Sequence, residues 1–115
     1  MIRSFRIALA LVCAPISAQI SAQVAPLPNG VEVARGGLAI RVEALTDSIL
    51  RVRLAPGGQW AEDASWAVPA AVRHQRVAVE ATPDGFRTAA LVVHVNPGTL
   101  ALTLTDPQGH TIVDD

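Results

Sequence analysis

Two tryptophans, Trp60 and Trp66, bracket the acidic pair Glu62–Asp63 within seven residues of a chain in which aromatics make up only 3%. Indole faces stack on sugar rings while carboxylates accept hydroxyl hydrogen bonds, so this short polar stretch has the residue types of a small polar-ligand site. Trp60, beside Gln59 and near a turn, is the stronger candidate for contact with a ligand or neighbouring domain. Trp66, followed by Ala67 and Val68, is expected to pack into the domain's own core or against another domain. As a catalytic pair, Glu62 and Asp63 have the wrong geometry. Neighbours in extended chain project to opposite sides.

No other cluster offers chemistry. Asp47, Asp84 and Asp106 occupy turn positions, where Asp is favoured for local backbone bonding. Glu43 and Glu80 fall on outward strand positions. His74, His94 and His110 are twenty and sixteen residues apart, without the short spacing of a zinc site. None of Ser17, Ser21, Ser48 and Ser65 sits in a G-x-S-x-G elbow. The residues assign no catalytic group, no metal site and no cofactor.

The elements that must carry the tryptophan loop are strands. Residues 48–54 alternate, with Leu50, Val52 and Leu54 inward and Arg51 and Arg53 outward, and Pro56-Gly57-Gly58 ends the strand. Before it, residues 31–35 and 38–45 read as strands, the second alternating Leu38, Ile40, Val42 against Arg41, Glu43. Thr46-Asp47-Ser48 turns that strand into the next, with Asp47 and Ser48 suited to capping the turn. After Pro69-Ala70-Ala71, residues 73–81 resume alternation with Val77 and Val79 inward. Thr82-Pro83-Asp84-Gly85 is a tight turn into residues 86–88. Residues 90–96 form the most apolar, central strand. Asn96-Pro97-Gly98 and Asp106-Pro107-Gln108-Gly109 then separate residues 99–105 from a last strand at 110–113. No helix is expected after residue 23. Seven or eight short strands with regular turn signals describe an all-β antiparallel β-sandwich.

The ordered string D-x-I-L-R-V-R-L, a Pro/Gly turn, then E-D-A-S-W-A-V resembles the opening of the N-terminal β-sandwich domain of glycoside hydrolase family 31, which includes α-glucosidases and α-xylosidases. Bacterial members commonly read EDPSWAV here; Ala64 stands in place of the Pro. The resemblance runs from about Gly30 onward. It implies a galactose-mutarotase-like sandwich, incomplete here, followed in the family by a (β/α)₈ barrel that this sequence does not reach. A retaining glycosidase needs two carboxyl groups about 5–5.5 Å apart, and the family's catalytic aspartates belong to barrel motifs, so none is carried over. Contact of Trp60, Glu62, Asp63 and Trp66 with carbohydrate or with the barrel is likewise what the resemblance implies. The functional expectation is a non-catalytic, carbohydrate-associated domain of an exported α-glucosidase-like enzyme, inactive alone. The alternative is a free-standing secreted β-sandwich that binds a protein or glycan, although a stand-alone sugar binder usually presents more aromatic platforms.

Residues 1–22 read as a signal peptide. Arg3 and Arg6 give a positive start, residues 7–14 an apolar run too short to span a bilayer, and residues 16–23 small residues for cleavage after Ala18 or Ala22, of which Ala22 is preferred. An uncleaved anchor and a lipid-modified Cys13 are weaker readings, since Leu11-Val12 lacks the small residue that lipoprotein processing prefers. Export to the periplasm or beyond, without a stable membrane anchor, follows. Removal of the leader takes away Cys13, the sole cysteine, and with it any disulfide or thiolate site. Residues 23–30, with two prolines and Asn29-Gly30, are an extended leader, and residues 31–115 form the domain. Nine Lys and Arg against ten Asp and Glu, net charge −1, provide no basic stripe for nucleic acid. About 90 residues bury only about 60–65% of their unfolded surface, and the unpaired strand edges of an unfinished sandwich open a route to self-association.

Overall fold

The computed structural model describes residues 10–15 and 20–115. Arg3, Arg6 and Ala18 of the expected signal peptide lie outside the described residues, and no helix among the described residues is long and apolar enough to cross a membrane.

Among the described residues the fold is all-β, with two antiparallel sheets and one turn of helix. The first sheet is an up-and-down meander of β1 (Gln23–Leu27), β2 (Gly30–Arg35), β3 (Leu38–Ala44) and β4 (Leu50–Pro56). The second holds β5 (Glu80–Thr82), β6 (Gly85–Arg87), β7 (Val92–Val95), β8 (Leu102–Thr105) and β9 (Thr111–Asp114), also in chain order. The expected central strand at residues 90–96 is β7, the middle of five.

Turn chemistry sets the register. Gly36 and Gly37 both take positive φ, +56° and +81°, as a two-residue turn between twisted strands requires, and they pair Arg35 with Leu38. Gly30 is needed for a different reason. A Cβ there would stand 1.9 Å from the Val42 carbonyl oxygen.

The sheets face each other in a β-sandwich-like arrangement, β2 packing against β6. Val31, Val33, Ile40, Val42 and Ala44 meet Phe86, Val93 and Val95, with Val77 and Val79 at the margin. Among the described residues, Phe86 is the largest fully buried side chain. Each Å² of apolar surface removed from water at this interface contributes roughly 25 cal/mol.

Four expectations differ from the structure. Residues 23–27 are extended, but they are not a loose leader: the two-residue Pro28-Asn29 turn folds them onto β2 from Gln23↔Ala34 to Leu27↔Gly30. Leu50, Val52 and Leu54 do point to the inner side, opposite Ala44, Val42 and Ile40. Val52 and Leu54 nevertheless remain 46% and 57% exposed, because β4 is an edge strand and an open cleft separates its inner side from Leu100 and Leu102.

Residues 73–81 were expected as one strand. Instead α1 (Ala70–Arg73) follows Pro69, which is tolerated at a helix start because it needs no amide partner, and only residues 80–82 enter a sheet. Residues 75–79 cross the end of the first sheet through Val77 N–H to Ala44 O (3.4 Å) and Val79 N–H to Pro28 O (3.3 Å). Val77 and Val79 still face the core, as their alternation implies. The crossing also covers Glu43, expected in solvent but only 7% exposed. Asn29 Nδ2 donates to its Oε1 at 3.4 Å and Arg76 Nε lies 3.8 Å away.

Candidate functional site

The four residues singled out in the loop separate into two pairs with different surroundings. Gly57 and Gly58, at φ +66° and +72°, reverse the chain at the end of β4 and lay the loop over the outer face of β3 and β4. Strand alternation has already placed a row of arginines there. Glu32, Arg41 and Arg53 are cross-strand neighbours, as are Glu43 and Arg51. The Trp60 ring settles on this row, its centroid 4.1 Å from the Arg41 guanidinium carbon and 5.3 Å from that of Arg53. The quadrupole of the indole face attracts both cations. Arg41 is fixed from the other side, donating from Nε and Nη2 to Glu32 Oε2 at 2.9 and 2.7 Å. Arg53 Nη2 donates to the Ala61 carbonyl at 2.7 Å.

Asp63 is the second anchor. Arg51 grips its carboxylate with both terminal nitrogens, at 3.0 and 2.6 Å, and Arg73 Nε reaches Oδ1 at 3.3 Å. The hydrogen bond from Arg51 holds the Asp63 carboxyl well below the usual carboxylate range, and the same contact raises the Arg51 guanidinium. Arg73, delivered by the one-turn helix, also donates to the carbonyls of Asp63, Ser65 and Val68. One guanidinium thereby ties three backbone oxygens and a carboxylate into a closed loop. Its five donors in a fixed fork suit this use. Ser65 Oγ accepts from the N–H groups of Ala67 and Val68 at 3.2 and 3.1 Å, which tightens the turn after it.

Glu62 and Trp66 stay outside this clamp. Glu62 is exposed. Trp66 is 100% exposed; of the two expected placements, the domain's own core or another domain, this overturns the first, since the turn closed by Ser65 and Arg73 directs the ring away from both sheets. Its apolar surroundings in the chain are also bare. Val68 and Val72 are each 39% exposed and Ile49 is 54% exposed; with Leu45, Leu50 and the stem of Arg51 they line a shallow groove beside the loop. A clamped loop that shows a bare tryptophan and runs along a small apolar groove can dock a flat apolar face. Its Asp63 carboxylate is committed to two arginines.

The arginines are what sequence reasoning missed. Arg51 and Arg53 are legible as outward residues, yet their partners lie twelve and eight residues away across a reversed loop. Arg73 was hidden by its assignment to a strand. The Asp106–His110 pair, with Nδ1 to Oδ2 at 2.8 Å, is local to its turn; the His110 and Gln108 amides also donate to Asp106, and the backbone donor of His110 lowers the carboxyl. Among the described residues, no three His, Cys, Asp or Glu side chains come together as a metal site. No protein-family model, no curated protein and no solved structure matches this chain.

Proposed function

We propose that the chain is a non-catalytic, carbohydrate-associated β-sandwich domain of galactose-mutarotase-like type, the N-terminal part of an exported enzyme similar to the α-glucosidases of glycoside hydrolase family 31. The observation that carries this reading is the Arg51–Asp63–Arg73 clamp. It joins the two halves of the motif string, I-L-R-V-R-L on β4 and E-D-A-S-W-A-V in the loop, into one rigid unit. That unit holds Trp66 and Glu62 clear of the domain, as a surface that meets a sugar or a neighbouring catalytic domain must be held.

The test is titration of the purified chain with maltose-series oligosaccharides, read by tryptophan fluorescence, beside an assay with an aryl α-glucoside. Saturable quenching that Trp66→Ala abolishes, without turnover, is the expected result. Turnover that one carboxylate substitution removes would sink the non-catalytic assignment. A second reading, a free-standing secreted interaction module, is favoured by the apolar groove of Leu45, Ile49, Val68 and Val72 along the loop. Under it the sugars leave the fluorescence unchanged.

A further inference from the structure

The two sheets do not match in width. β2 packs on β6, and a cleft of about 400 Å³ is lined by Leu38, Ile40, Val52 and Leu54 on one side and Leu100 and Leu102 on the other. β4 therefore stands over β8, and β9, one strand further out, overhangs the first sheet. Val113, the inward residue of β9 opposite Leu104, is 40% exposed. Leu100 is held at φ +65°, a left-handed conformation that costs an L-residue about 1–2 kcal/mol, and its side chain forms part of the same wall. Among the described residues, β4 pairs only with β3 and β9 only with β8.

We propose that two copies of this chain close these clefts on each other in a two-fold dimer, β4 of each copy lying beside β9 of the other. A two-fold axis parallel to the strands turns the four-stranded layer of one copy into continuity with the five-stranded layer of its partner. Each overhanging β9 then fills the position vacant beside the other copy's β4. Val52 and Leu54 meet the partner's Val113 from the same inner side. The contact is isologous and closes at two copies, without open edges at the junction.

Charge supports this occupant over a generic apolar strand. The outward residues of β4 are Arg51 and Arg53, and the outward residue at the end of β9 is Asp114, which faces Thr103. Leu54 and Asp115 line the same end of the cleft, so the ends of β4 and β9 lie at one level, and rotation about an axis along the strands keeps them there. Arg53 of one copy comes beside Asp114 of the other, twice per dimer. Pairing β4 with a second β4 would set arginines against arginines.

The experiment is a charge swap read by light scattering after size exclusion, with circular dichroism to confirm folding. The unaltered chain is expected at twice its monomer mass of 12.0 kDa. Arg53→Asp and Asp114→Arg each place like charges at both junctions and should weaken the dimer on the order of tenfold or more. An equimolar mixture of the two variants restores opposite charges at both junctions and should dimerise as the unaltered chain does. A monomer at the highest concentrations, open-ended growth in place of a dimer, or a mixture no more dimeric than its components overturns the proposal. Val113→Asp, which leaves the arginine clamp untouched, must also dissociate the dimer; no effect there overturns it equally.

Discussion

Phe86→Ala and Leu54→Ala, measured side by side, show where the core ends. Both side chains sit on inward strand positions, and by alternation alone both would count as core. Phe86 is fully buried, on β6 beneath β2, while Leu54 is more than half exposed on the edge strand. Truncating a buried Phe to Ala costs about 3–5 kcal/mol through lost transfer energy and the cavity left behind. A fold of this size is stable by only about 5–15 kcal/mol, so the loss is a large share of the total. At about 4–8 °C per kcal/mol for a small domain, Tm should fall by at least about 12 °C, and the variant should populate the unfolded state at modest urea. Leu54→Ala removes contacts that are already partly made by water and should cost less than about 1 kcal/mol. The assay is urea denaturation followed by far-ultraviolet circular dichroism at submicromolar chain, where association does not contribute. Equal losses for the two variants, or a Phe86→Ala loss below about 1 kcal/mol, would refute the placement of the core at β2, β3, β6 and β7.

Asp63 makes a prediction about acid. Its carboxyl is depressed in the folded chain by Arg51, so the stability it contributes is fully present above the unfolded value of about 3.9 and is lost as pH falls below that toward the folded value. Asp63→Asn should flatten the acid limb of a stability–pH curve, and parallel limbs would contradict the clamp. Gly30→Ala should cost about 3 kcal/mol in urea titration, because its Cβ meets backbone, the Val42 carbonyl and the Glu43 Cα, which cannot turn aside. Trp66→Ala should change stability by no more than about 0.5 kcal/mol, whereas Trp60→Ala, which strips the cover from Arg41 and Arg53, should cost about 0.5–2 kcal/mol. A larger effect at Trp66 than at Trp60 in thermal melts would reverse the roles assigned to them.

Much of this fold is legible in the order of residue types. Alternation in Leu38, Ile40 and Val42 and in Thr103, Leu104 and Thr105 encodes which side each residue faces, since a strand's period is two whatever surrounds it. Gly36-Gly37, Asn96-Pro97-Gly98 and Asp106-Pro107-Gln108-Gly109 mark turns because φ and local hydrogen bonding are properties of short segments. What alternation does not encode is whether a second layer stands over the chosen side. Leu54 and Ile40 are cross-strand neighbours on the same face, and only the position of the second sheet makes one core and the other surface. Glu43 shows the converse, an outward residue buried where residues 75–79 cross the end of the sheet. The site divides along the same line. The presence of Trp60, Glu62, Asp63 and Trp66 in one loop, and the outward direction of Arg51 and Arg53, belong to the sequence. That Asp63 is held by two arginines while Trp66 stands bare was decided by the folded loop, because those contacts join residues eight to twelve positions apart whose approach depends on the chain reversing at Gly57-Gly58.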